Sequence, residues 1–250
     1  MIFDVLTIFP EMFCGPLENS IIKKAREKGL LRVNLIDIRD YSRDKHRSVD
    51  DTPYGGGGGM VMNPQPIVEA VEKRLQLYEG DVPVILMCPQ GRRFNQDVAR
   101  ELAQHKQIIL ICGHYEGIDE RVREIVATDE ISIGDYVLTG GELPAMVIID
   151  AVARFIPGVL GDPEGAEKDS YAQGLLEHPQ YTRPRNYRGK EVPEVLLSGH
   201  HENISTWRRR EALLRTLVRR DEMLSDADLT TEDRRFLKCL KDRLSELGVD

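Results

Sequence analysis

The chain has 250 residues, of which 41% are hydrophobic, and a formal net charge of −8. That suffices for one large domain, or a medium domain with a small one, around an ordinary core. No apolar run approaches the roughly 20 residues a bilayer crossing needs, and Met1-Ile2-Phe3-Asp4 lacks the basic start of a secretory signal. A soluble, cytoplasmic protein with no membrane partner is therefore expected.

Cys14, Cys88, Cys112 and Cys239 are far apart and form no C-x-x-C pair, which argues against a zinc ribbon or a redox motif and fits a reducing compartment. The charge is unevenly spread. Tyr181 to Arg220 holds 10 Lys+Arg against 4 Asp+Glu, whereas residues 1–160 hold 18 basic against 24 acidic. An acidic chain with one basic stretch suits a local surface for a polyanion, although a solvated helix face would read the same.

In chain order, Ile2–Phe9 is β-rich and Glu11–Gly29 reads as a helix ending at a glycine. Leu31–Ile38 alternates like a strand, and Pro66–Leu77 has helical spacing with an early proline. Val82–Met87 and Gln107–Cys112 are short, solidly apolar runs, as expected of strands buried on both faces. Between them Asn95–His105 is a helix with a good N-cap residue. Asp119–Ala127 is helical, Glu130–Ile133 is a third short strand, and Leu143–Phe155 is a strongly apolar helix. Strands alternating with helices predict a parallel α/β sheet over residues 1–160.

Gly158–Gly174, rich in glycine and acids without apolar periodicity, reads as a mobile linker, placed at 161–175. Residues 176–250 then form a small all-α domain without strand pattern. Its helices are expected near Glu202–Arg220 and Thr230–Leu247, the second opened by Thr230 and Asp233 in a near capping box.

Five segments carry residues with chemistry. Asp50-Asp51-Thr52-Pro53-Tyr54 leads into five glycines, Gly55 to Gly59. The run lacks the Gly-Lys-Ser/Thr of a phosphate loop and opens no helix. It is either a surface loop or a place where backbone touches a ligand, with Asp50 and Tyr54 able to bond and stack on a base. Gly113-His114-Tyr115-Glu116-Gly117 follows a buried strand, where ligands bind in parallel sheets. Glu116 offers a carboxylate to an amine. His114 with Glu116 gives too few ligands for a metal, and His114 alone reads as a hydrogen-bonded structural histidine.

Ile133-Gly134-Asp135-Tyr136-Val137-Leu138-Thr139-Gly140-Gly141-Glu142-Leu143-Pro144 repeats the pattern of strand, glycine turn and helix. With Cys88-Pro89 ending another strand, these loops predict a ligand pocket. Arg154 and Asp169 flank the linker. In the tail, Tyr181-Thr182-Arg183-Pro184 and Trp207-Arg208-Arg209-Arg210 suit RNA phosphates and bases, though Trp207 at helical spacing also suits a core. His200-His201 lacks metal spacing, so no metal site is expected.

Taken in order, Asp51-x-Pro53-Tyr54-Gly-Gly-Gly-x-Gly59-Met60, Gly113 to Arg121, Ser132 to Glu142, Tyr181 to Pro184 and Val195 to His200 closely resemble the bacterial tRNA (guanine-N1)-methyltransferases of the SPOUT superfamily. The resemblance covers nearly the whole chain. It implies a deep trefoil knot in the α/β domain, which no sequence pattern would have suggested, and a homodimer whose active sites form across the interface. It implies an S-adenosylmethionine-binding domain at 1–160 and a tRNA-binding domain at 176–250.

The implied reaction moves a methyl group from S-adenosylmethionine to N1 of the guanosine immediately 3′ of the tRNA anticodon. The implied cofactor residues are Pro89, Gly113, Tyr115, Glu116, Ile133, Gly134, Asp135, Tyr136, Val137, Leu138, Gly140, Gly141 and Pro144. Asp50, Tyr54, Gly55, Gly59, Ser170 and Arg183 would face the anticodon stem-loop. Asp169 and Arg154 would be the catalytic pair, with Asp169 aligned through Ser170 and Gly174-Leu175-Leu176. A need for Mg2+ is also implied, with no ligand cluster in the sequence to hold it. The reading in another class is a non-catalytic RNA-binding module, which leaves the glycine loops at the strand ends unexplained.

Overall fold

Ile2–Thr7 forms β1, buried along nearly its whole length because strands line both its edges and helices cover both its faces. The computed structural model describes residues 1–162 and 165–246. The chain separates into two units, Met1–Pro163 and Glu164–Asp250.

In the first unit the main sheet contains β1, β2 (Arg32–Asp37), β5 (Val84–Arg93), β6 (Gln107–Cys112) and β7 (Asp129–Ser132), ordered β2-β1-β6-β5-β7 with every neighbour parallel. Successive residues point to opposite faces. Phe3, Val5, Ile108 and Leu110 thus join one core with α1 (Ser20–Glu27), α3 (Gln96–Leu102) and α5 (Glu142–Ala153). Leu6, Ile109 and Ile111 join the other core with α2 (Pro64–Leu75) and α4 (Glu120–Val126). The expected parallel α/β sheet is present. A separate antiparallel pair, β3 (Asp50–Asp51) and β4 (Val61–Met62), brackets the glycine run.

The one polar side chain within β1 before its last residue is held by a network. Asp4, 1% exposed, accepts from Arg74 Nε at 2.8 Å, Tyr78 Oη at 2.6 Å and Asn34 Nδ2 at 2.6 Å. A buried carboxylate needs such partners.

Three expectations are corrected. The single helix over Glu11–Gly29 is instead two short 3-10 turns, Pro10–Phe13 and Pro16–Glu18, followed by α1. Gly15 lies at φ +91° and Pro16 has no amide hydrogen, so a continuous hydrogen-bond ladder cannot pass them. The strand expected to stop at Met87 runs on to Arg93, with a register shift between Met87 and Arg92. Gly91 permits this, since a Cβ there would lie 2.4 Å from the backbone of Glu130 on β7. The tail expected to lack strands carries a hairpin of β8 (Asn186–Tyr187) and β9 (Lys190–Glu191).

The second unit also holds α6 (Gly165–Lys168), α7 (Glu194–Leu197), α8 (His201–Arg219) and α9 (Thr231–Glu246). Its core is small, built on Leu175, Leu213, Ala227 and Leu237. Within the stretch expected as a linker, Ala166 and Leu175 are buried, and Tyr171 N donates to Leu175 O at 2.8 Å. Pro163 and Glu164 of that stretch, and the expected helix end at Leu247, lie outside the described residues. No described helix is long and apolar enough to cross a membrane.

Candidate functional site

Parallel strands all run the same way, so the middle of the long β5 and the loops after β6 and β7 converge. They surround a cavity of about 370 Å³, within the range of small-molecule sites. Pro89 comes from β5. Gly113, Tyr115 and Glu116 follow β6. Ile133, Gly134, Tyr136, Val137, Leu138, Gly140, Gly141 and Pro144 follow β7 and open α5. Thus the structure brings together every expected cofactor residue except Asp135. The Asp135 side chain is exposed and ion-paired with Arg93.

The walls explain the residue types. Apolar surface comes from Leu86, Met87, Ile118, Ile131 and Leu138, suited to a flat ring, while Glu116 supplies a carboxylate for a cation. Two loops are tied directly to each other: Gly141 N donates to Gly113 O at 2.8 Å, and His114 bridges to Gly140 in antiparallel fashion. Gly141 is required there, because a Cβ would lie 2.7 Å from Cys112 Cα. Tyr115 adopts φ +60°, which turns the chain at the cavity mouth. Burial, and then the charge of Asp50, push its hydroxyl above the ordinary tyrosine value.

The glycine run reaches the same loop. Glu116 N donates to Met60 O at 3.0 Å, and Met62 N donates to Gly117 O at 2.9 Å. Gly59, at φ +83°, lies where a Cβ would overlap the Glu116 side chain. Tyr54 is fully exposed beyond it, and Gly55 meets open space. Asp50 sits on β3, half-buried.

Cavity residues that sequence reasoning passed over include Gln90 and Arg123. Arg123 reaches Cys88 Sγ at 3.4 Å and pairs with Glu120. Their one sequence signal is position, just after a strand or one turn into the helix that follows. A cluster of three or more His, Cys, Asp or Glu side chains able to hold a metal does not occur among the described residues.

Arg154 caps the C-terminal end of α5 in the first unit. In the second unit, Asp169 follows α6 and lines a cavity of about 440 Å³ with His178, Ser205 and Arg208. Ser170 Oγ accepts from Glu177 N at 3.0 Å. Arg183 lines a further cavity of about 350 Å³ with Tyr181, Arg185 and Arg208. Trp207 is half-buried beside His178 and Tyr181, with ring centroids 6.4 and 6.3 Å away.

Comparison with known proteins places this geometry in context. The family model described as tRNA (Guanine-1)-methyltransferase TrmD matches residues 1–226. A protein of Desulforudis audaxviator is 62% identical over 249 residues, covering all of both chains. One from Moorella thermoacetica is 65% identical over 244 residues, covering 97% of this chain and 98% of its own. One from Pelotomaculum thermopropionicum is 61% identical over 251 residues, again covering both chains fully. Each of the three is named tRNA (guanine-N(1)-)-methyltransferase.

Proposed function

This chain belongs to the tRNA (guanine-1)-methyltransferase family, and from that premise we propose that it transfers a methyl group from S-adenosylmethionine to N1 of the guanosine immediately 3′ of the anticodon. The observation that carries the reading is the convergence of β5 and the loops after β6 and β7 on one cavity that joins apolar walls, glycine backbone and the Glu116 carboxylate. These features fit the cofactor. The apolar walls suit its adenine ring, and Glu116 suits its positive charge. When bound, S-adenosylmethionine supplies an electrophilic methyl group on a sulfonium sulfur.

The protein's own part in the proposed reaction is proton handling and positioning. Guanine N1 carries a proton and is a poor nucleophile until it leaves. Asp169 is the proposed general base for that proton. Charge then moves to the guanine carbonyl oxygen, where the guanidinium of Arg154, always cationic, would stabilise it. Asp50, Tyr54, Gly55 and Gly59 are proposed to present backbone, carboxylate and ring to the anticodon loop. Ser170 and Arg183 would add contacts from the second unit. The tie between Met60 and Glu116 supports a substrate loop built against the cofactor loop. Among the described residues no group of three or more His, Cys, Asp or Glu side chains is placed to hold Mg2+.

The proposal extends to the knotted crossing and the homodimer of the family, with residues 1–160 binding cofactor, 161–175 as a connecting segment and 176–250 binding tRNA in the cytoplasm. Support for the dimer comes from α5, which buries Ala145, Ile148, Ile149 and Val152 yet leaves Leu143 and Val147 about half exposed.

The test is direct. Purified protein is incubated with S-adenosylmethionine and unmodified tRNA bearing guanosine after the anticodon, and the digested RNA is read by mass spectrometry. N1-methylguanosine from wild type, with at least a hundredfold less from Asp169→Ala, is the expected result. No methylated guanosine from folded, cofactor-binding wild type would leave a non-catalytic RNA-binding module. Full activity in the variant would move the base elsewhere.

A further inference from the structure

Beside the cavity the fold buries a carboxylate that this reaction does not use. Glu142 opens α5, a helix otherwise almost wholly apolar, and is 1% exposed. A charge so placed persists only where it is partnered. One oxygen is accounted for: Thr7 Oγ1 donates to Glu142 Oε1 at 2.7 Å, while accepting from Phe9 N at 2.9 Å. The other oxygen, Oε2, faces His114 Nδ1 across 3.8 Å. Both atoms are buried, and neither has a hydrogen-bond partner among the described residues.

Gly140 lies against the same two atoms. A Cβ at that position would lie 2.4 Å from Glu142 Oε2 and 2.4 Å from His114 Nδ1, so any side chain there would wedge them apart. The imidazole is also held edge-on by Phe9, with centroids 4.9 Å apart. Thr7 ends β1, His114 lies just past β6, and Glu142 opens α5.

We propose that His114 and Glu142 are a positioning pair, in which His114 Nδ1–H donates to Glu142 Oε2 and locks the two cofactor loops to each other and, through Thr7, to the end of β1. The inference rests on reading the adjoining cavity as the cofactor site. A carboxylate oxygen only accepts, so in a neutral imidazole this bond puts the proton on Nδ1 and leaves Nε2 as the ring's acceptor. The gap closes to a normal bond of about 2.9 Å by a shift of about 1 Å, the kind of tightening that ligand binding brings to loosely aligned groups. Neither residue touches the reacting atoms in this scheme. Their role is to fix the loop that carries Tyr115 and Glu116.

The test uses the full chain. In ¹⁵N-histidine spectra with S-adenosylmethionine added, His114 should be the Nδ1–H tautomer. Glu142→Gln, which turns an amide N–H toward the ring, should switch it to Nε2–H. By calorimetry, His114→Ala and Glu142→Gln should each weaken S-adenosylmethionine binding about tenfold, with the double variant no weaker than the worse single. His114→Asn, which keeps an N–H near the Nδ1 position, should stay within about threefold of wild type. That comparison stands without any change to the buried carboxylate.

An Nε2–H tautomer in wild type, losses that multiply in the double variant, or an Asn variant as weak as Ala would overturn the pair while leaving the cofactor site intact. Wild-type protein that binds no S-adenosylmethionine would overturn the reading of the cavity, and this proposal with it.

Discussion

A methyl group added at residue 141 would lie 2.7 Å from Cys112 Cα and 2.9 Å from Gly113 N. Those neighbours are backbone and cannot swing aside. Gly141→Ala should therefore cost about 1–3 kcal/mol of stability, the usual scale of overpacking, read as a lower urea midpoint. Gly58→Ala, with nothing within 4 Å, should change stability by no more than about 0.5 kcal/mol. Equal effects would show that the close approach at residue 141 is easily relieved. The sequence displays both as members of glycine-rich loops. Nothing local to either says that one abuts a neighbouring strand end while the other meets open space.

At the scale of the element, the start of α9 was readable from Thr230 and Asp233. The two residues cap each other: Thr230 N donates to Asp233 Oδ2 at 2.9 Å, and Asp233 N donates to Thr230 Oγ1 at 3.1 Å. What the sequence omitted is Arg209 of α8, whose Nη2 donates to the same carboxylate at 2.9 Å. Burial of Asp233 works to raise its pKa, but the bonds from Arg209 and Thr230 outweigh it and hold the carboxyl below its ordinary value of 3.8. A group depressed in the folded state adds stability above its unfolded value and loses it as pH falls through the folded one. The second unit should therefore weaken below about pH 4, as read by fluorescence of the single tryptophan, Trp207, during urea unfolding. Asp233→Asn should flatten that dependence, and an unchanged slope would assign it to other groups. Elements with a strong local signal formed near their expected bounds. The helix expected over Glu11–Gly29 did not, because Gly15 and Pro16 interrupt it more decisively than its apolar spacing suggests.

At the scale of the whole molecule, the proposed homodimer makes α5 the element to test. Leu143→Asp places a charge on the half-exposed side of that helix without entering its buried side. Sedimentation velocity should find wild type as a dimer and the variant shifted toward monomer, with tRNA methylation falling alongside. A monomeric wild type would remove the dimer from the proposal. The sequence alone determined the parallel α/β sheet, from apolar runs alternating with helical spacing, and the family, from motifs that recur in order. Of the cofactor residues it marked, all but Asp135 line the cavity, because in a parallel sheet the carboxyl ends of the strands share one side. Tertiary structure alone decided the rest. It set β6 between β1 and β5, extended β5 past Met87 by bringing Gly91 against β7, and buried Glu142 between Thr7 and His114. Those residues are distant in the chain, and no local spacing encodes a contact that exists only after three strands have aligned.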